Sequence, residues 1–247
     1  MNDRNLKTRG LFITGTDTDV GKTYVAAMIA RDLVDQGIRV GAYKPACSGS
    51  FQDADGQPRW QDVEELTRAI GGGFDTERIC PQRFAAPLAP PVAARLEGRS
   101  VNPQLLREGA LWWQQRVDLL LIEGVGGLLC PLTEEETVAD LASDLGYPLI
   151  VVARLGLGTI NHTLLTVEAA VHRGLTVAGI ILNAATPQET GCSSQTNPAE
   201  IAARCNCPLL GVLPHKQPDR LLKNGRHVKI NWTNLAGCHA LTTRSNG

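Results

Sequence analysis

The chain predicts a three-layer α/β fold with a mostly parallel central sheet flanked by helices. Three observations predict it. Short apolar, β-rich runs alternate with longer helix-compatible stretches along most of the 247 residues. The apolar runs are continuous rather than alternating, as in strands buried on both faces. Strand–helix alternation also implies right-handed crossovers between parallel strands.

In chain order, Leu11-Phe12-Ile13-Thr14 reads as a first strand that runs straight into a glycine-rich turn. Residues 22–36 read as a helix stopped by Gly37. Further strands are expected at 39–43, 118–122, 148–153, 177–182 and 209–213. Trp112-Trp113 precede the third strand on a helix and read as core and rim packing. Residues 48–59, rich in Gly, Asp, Gln and Pro, read as a mobile loop, as do residues 185–197. No break resembles an interdomain linker. One domain over 1–237 is expected, with a loosely held polar tail at 238–247.

A hydrophobic share of 43% supplies one substantial core. The net charge of −1 and the dispersed Lys and Arg give no electrostatic case for nucleic acid or an anionic membrane. The polar N-terminus before Leu11 lacks the apolar stretch of a secretory signal. No run approaches the roughly 18 apolar residues of a membrane span. A cytoplasmic protein is expected. The seven cysteines are irregularly spaced, and Cys205 and Cys207 form a lone CxC, so reduced thiols rather than a zinc site are expected.

The turn after the first strand is Gly15-Thr16-Asp17-Thr18-Asp19-Val20-Gly21-Lys22-Thr23. The phosphate-loop pattern G-x-x-x-x-G-K-[ST] between strand and helix matches at Gly21, Lys22 and Thr23. Its first glycine is expected at Thr16, whereas Gly15 stands one residue earlier. The chemistry survives this extra residue. Backbone N–H groups and a helix start form an anion site, Lys22 adds a point charge, and the Thr23 hydroxyl suits Mg²⁺.

Such a loop needs a carboxylate from another strand end. Asp118 to Ile122 delivers Glu123, followed by Gly124-Val125-Gly126-Gly127, whose glycines let the chain pass close to phosphates. Lys44 ends the second strand in Tyr43-Lys44-Pro45 and should reach the same rim. Asp62 opens a helix-compatible run and reads either as its N-cap or as a second magnesium ligand. Asp53 and Asp55 are weaker loop acids. Gly158-Thr159-Ile160-Asn161 stands where strand turns to helix, where exposed N–H groups can take a carboxylate. His162 beside it reads as a satisfied structural histidine, since no nucleophile is placed next to it.

Taken together, these segments resemble the dethiobiotin synthetase family. The resemblance rests on the nine residues from Gly15 to Thr23, Tyr43-Lys44-Pro45 with Ser48-Gly49-Ser50, Glu123-Gly124-Val125-Gly126-Gly127, the run from Gly158 to Thr166, and Gly179-Ile180-Ile181-Leu182-Asn183. They occur in the family's order, and the extra residue in the loop is the family's own form.

The resemblance implies a P-loop fold and an ATP- and Mg²⁺-dependent cyclo-ligase. Its substrates would be diaminopelargonate and CO₂ (or bicarbonate), joined through a carbamate and a carbamic–phosphoric anhydride. It implies Lys22 and Lys44 as catalytic charges, and Thr23, Asp62 and Glu123 as magnesium ligands. Asp19, Val20, Gly21, Gly124, Val125 and Gly126 would also border ATP. Asn183, followed by Ala184, would read the adenine edge, with Pro214, His215 and Lys216 along the base. Ser48 and Thr16 would meet the substrate. The family works as a homodimer, in which the partner's helix start, here Gly158 to Asn161, takes the substrate carboxylate. A partner-controlling ATPase switch is disfavoured, because no lysine lies between Gly15 and Val20. An amidoligase of the cobyrinate type would bring a glutaminase domain, for which this length leaves no room.

Overall fold

The computed structural model describes residues 8–186, 192–215 and 219–237. The chain opens with β1 (Arg9–Gly15), α1 (Lys22–Asp35) and β2 (Val40–Tyr43). An excursion follows: β3 (Ala46–Ser48), β4 (Phe51–Gln52), β5 (Pro58–Arg59), α2 (Gln61–Ala69), α3 (Thr76–Ile79), β6 (Gln82–Phe84), α4 (Pro90–Leu96) and α5 (Pro103–Gln114). Strand and helix then alternate through β7 (Leu119–Gly127), α6 (Val138–Leu145), β8 (Leu149–Arg154), α7 (Thr159–His172), β9 (Val177–Asn183), α8 (Cys192–Arg204) and β10 (Leu209–Leu213). A short hairpin, β11 (Leu222–Lys223) and β12 (Arg226–His227), and α9 (Trp232–Leu235) complete the described elements.

The central sheet runs β12-β11-β10-β9-β8-β1-β7-β2. Six neighbouring strands, β10 to β2, pair in parallel, and only β11 and β12 run antiparallel. The continuous apolar runs are buried as expected: Leu11 to Ile13, Leu119 to Ile122 and Leu149 to Val152 are each at most 1% exposed. The order of connection places the ends of β1, β7, β2, β8 and β9 along one rim, where open α/β sheets gather their ligands. Helix α1 begins after Gly21 at φ 92° and ends before Gly37 at φ 77°, both backbone states that glycine adopts without strain.

Several elements depart from the sequence expectation. Residues 48–59 carry the β4–β5 hairpin rather than an irregular loop. The Asp53 carboxylate accepts the N–H groups of Asp55 and Gln57, an Asx-type closure that holds its turn. Residues 185–197 are not one loop either, because α8 starts at Cys192. Residues 187–191 and the tail 238–247 lie outside the described residues. Trp113 is buried and its indole donates to the Arg78 carbonyl, while Trp112 is only partly covered. Among the described residues, no helix is long and apolar enough to cross a membrane.

Candidate active site

Strand β1 delivers the phosphate loop, and the Thr16 N–H donates to the Val152 carbonyl at 2.9 Å, tying the loop's start to β8. The extra residue is then accounted for locally. Asp17 accepts the Thr18 N–H at 2.7 Å and Arg154 Nη2 at 3.0 Å, and its carbonyl accepts Lys22 Nζ at 2.9 Å. Lys22 is 7% exposed. Burial first, and then the charge of Lys44, pushes its pKa below the ordinary lysine value, against the opposing pull of Glu123 and Asp62.

The opposite wall is built from β2, β7 and α2. Strand β7 runs on to Gly127 rather than ending at Ile122, so Glu123 sits midway along it at 1% exposure, and its Oε1 accepts the Thr23 hydroxyl at 2.7 Å and Lys44 Nζ at 2.6 Å. Lys44 Nζ also donates to Asp62 Oδ2 at 2.5 Å. The Lys44 N–H is anchored to the Ile79 carbonyl at 2.7 Å. Burial alone would lower the Lys44 pKa, but Glu123 and then Asp62 outweigh it, and the pKa is raised. Burial works to raise Asp62, and the neighbouring Lys44 overrides it, leaving that carboxyl lowered. Burial raises Glu123, with Lys44 opposing and Asp62 adding. Asp62 sits in the first turn of α2, whose N-cap is Trp60, so the N-cap alternative falls.

These walls enclose a cleft of about 700 Å³, lined among others by Thr18, Asp19, Gly21, Lys22, Thr23, Lys44, Ser48, Asp62, Glu123, Val125 and Gly126. Thr23, Asp62 and Glu123 fit a magnesium ion. Glu123 Oε2 is buried and has no hydrogen-bond partner among the described residues, leaving lone pairs for a cation. Thr23 touches both carboxylates. Among the described residues no group of three or more His, Cys, Asp or Glu side chains is arranged to hold a metal ion, so the protein offers two carboxylates and a hydroxyl, not a full cage. Protein magnesium sites commonly use one or two carboxylates and leave the rest of the shell to water and phosphate.

Other predicted residues lie elsewhere. Gly124 packs inward, where an added Cβ would stand 2.8 Å from Val138 Cγ1. Val20 is buried beneath the loop, and Thr16 serves through its backbone. Asn183 ends β9 and donates from Nδ2 to the Val20 carbonyl at 3.0 Å. Ala184 is buried, its N–H bonded to the Leu213 carbonyl on neighbouring β10, after which come half-buried Pro214 and His215. Lys216 lies outside the described residues. Gly158, Thr159, Ile160 and Asn161 open α7 but do not line the cleft. His162 is exposed on α7 rather than packed as a structural histidine.

Sequence reasoning missed four contributors. Trp60 and Leu88 line the cleft from α2's N-cap and the approach to α4. Arg154 braces Asp17 from the end of β8. Asn197 is 4% exposed and donates to the Leu155 and Gly156 carbonyls at 2.9 and 3.0 Å, holding the turn into α7. Arg154 was findable, because it ends a buried strand at the ligand rim. Asn197 carried no local signal.

A family model described as an AAA domain matches residues 9–218. An ATP-dependent dethiobiotin synthetase BioD of Anaeromyxobacter dehalogenans is 50% identical over 211 residues, 85% of this chain and 92% of that protein. The chain belongs to the dethiobiotin synthetase family. A BioD of Anoxybacillus flavithermus is 40% identical over 91% of this chain and 97% of its own length. The signal recognition particle receptor FtsY of Elizabethkingia anophelis shares only the P-loop type of fold. It is 15% identical with a TM-score of 0.50, over 94% of this chain and 65% of that one. The cleft behind the loop from Gly15 to Thr23 is the candidate ATP site.

Proposed function

We propose that this chain, acting through one domain over residues 1–237, uses ATP and Mg²⁺ to convert diaminopelargonate and CO₂ into dethiobiotin, ADP and phosphate. The observation that carries the reading is the convergence of Lys22, Lys44, Thr23, Asp62 and Glu123 on one cleft in a chain 50% identical to a dethiobiotin synthetase. One substrate amine attacks CO₂ and loses a proton, giving a carbamate. A carbamate oxygen attacks the γ-phosphorus as its bond to ADP breaks. The second amine then attacks the carbamate carbon, expels phosphate and loses a proton, closing the ureido ring.

The protein's part is positioning and electrostatics. Backbone N–H groups of the loop and Lys22 cradle the phosphates. Lys44 sets a fixed positive charge beside the carbamate and the transferring phosphoryl group. Thr23, Asp62 and Glu123 would hold Mg²⁺, which neutralises developing phosphate charge when bound. Ser48 lines the same cleft, which supports assigning it to the diamine. Asn183, Ala184, Pro214 and His215 stand together at adjacent strand ends and are assigned to the adenine, with Lys216 following in the chain. This reading includes a homodimer, in which a partner's helix start, Gly158 to Asn161, would supply the carboxylate site. A cytoplasmic setting accompanies this reading.

The test is ADP release by the purified chain. Release should require both diaminopelargonate and bicarbonate, with dethiobiotin detected by mass. Equal ATP turnover without the diamine refutes the proposal.

A further inference from the structure

We propose that Asn183 is a positioning residue for the phosphate loop, acting on the triphosphate whatever base the nucleotide carries. The inference rests on the nucleotide reading of the loop and needs nothing of the diamine.

Three observations carry it. The Asn183 side chain is buried, the residue being 6% exposed, and its Nδ2 donates to the Val20 carbonyl at 3.0 Å. The Val20 carbonyl and the Gly21 N–H belong to one planar trans peptide and point in opposite directions. Anchoring the carbonyl therefore aims the Gly21 N–H away from Asn183. Gly21 lines the cleft, and its N–H is one of the donors that open α1. Finally, a Cβ on residue 21 would stand 2.1 Å from Asn183 Nδ2, so the amide occupies the space that the missing side chain leaves.

The anchor is itself rigid. Asn183 ends β9 in register with Arg154 of β8 and Leu213 of β10, and its carbonyl accepts the Leu155 N–H at 3.0 Å. Base reading alone asks for an amide that faces the nucleotide. Here one of that amide's two N–H donors is committed to the loop. The contact joins two segments 163 residues apart in sequence, which explains why no local motif announces it.

The test uses calorimetric titration of the full chain with inorganic tripolyphosphate and Mg²⁺, a probe that has no base. Asn183→Ala should weaken tripolyphosphate binding about 3–10-fold, as loss of one buried hydrogen bond does. ATP should weaken by at least as much. If the alanine variant fails to fold, Asn183→Ser replaces it, since a serine hydroxyl is too short to reach Val20. Unchanged tripolyphosphate affinity alongside weakened ATP, or a lowered Tm with both affinities intact, overturns the proposal. So does an unaltered chain that binds no tripolyphosphate. Failure to form dethiobiotin, with the tripolyphosphate effect present, would instead remove the diamine reading and leave Asn183 in its role.

Discussion

The phosphate loop and the inner wall of the cleft each bury one lysine, and the two are held in opposite electrostatic conditions. Lys22 has a backbone carbonyl for a partner and loses basicity to burial and to its neighbour. Lys44 touches two carboxylates and gains basicity. The loop thus keeps positive potential available for an incoming anion, at the expense of stability in the empty protein. The wall sets one ammonium between two carboxylates, so the Lys44 charge is fixed in place before anything binds. One cleft divides attraction from stabilisation by giving the same residue type different neighbours.

The contrast breaks most visibly at Lys44. Lys44→Ala should cut turnover by roughly 100-fold or more while ATP affinity stays within a few-fold, because one electrostatic stabiliser is removed. Steady-state kinetics beside nucleotide titration separates the two, and retained turnover would refute the role. Thr23→Val comes next. It should raise the Mg²⁺ concentration for half-maximal activity by about 10-fold, a typical loss for a perturbed metal site. A magnesium titration at saturating ATP measures it.

Lys22→Gln sharpens the comparison through stability. The folded protein holds the Lys22 pKa below its unfolded value, so between the two values the unfolded chain binds more protons. Stability therefore rises with pH across that window, and the burden of Lys22 is full below it. The glutamine variant should bind ATP more weakly yet melt higher at pH 7 without ligand. Its advantage should shrink as pH rises through the lowered lysine pKa towards 10.5. A constant advantage across melts at several pH values would count against buried charge as the cause.

The smallest effect belongs to Tyr43, the residue next to Lys44. Its hydroxyl donates to the Leu105 carbonyl at 2.9 Å and touches no reacting group. Tyr43→Phe should cost about 1 kcal/mol. That lowers Tm by about 2–4 °C in a chain of this size. Turnover should be unchanged, separating scaffold from chemistry at adjacent positions.

The parallel sheet was legible because strands buried on both faces must be apolar throughout, as Leu119 to Ile122 are. Lys22, Lys44 and Glu123 could be named as candidates because each comes after an apolar run that leads to the rim: Lys22 past the loop that β1 opens, Lys44 just after β2, and Glu123 after Leu119 to Ile122 within β7. Asp62 was ambiguous in sequence. One of its two readings depends on where α2 begins, and the Trp60 N-cap removes that one. The hairpin at β4 and β5 was hidden because its strands are two residues long and exposed, leaving no period to detect. Asn197 was hidden for another reason: its partners are backbone carbonyls of a distant turn. Those contacts depend on tertiary placement, and composition carries no trace of them.

The antiparallel hairpin at the far side of the sheet has a consequence for life in a crowded solution. A parallel sheet that stopped at β10 would offer an apolar rung ladder to any passing strand. Instead it tapers through β11 and β12, two residues each, carrying Lys223, Arg226 and His227. A border so short and so basic gives an intruding chain little to zip onto, which guards that flank against edge-to-edge aggregation.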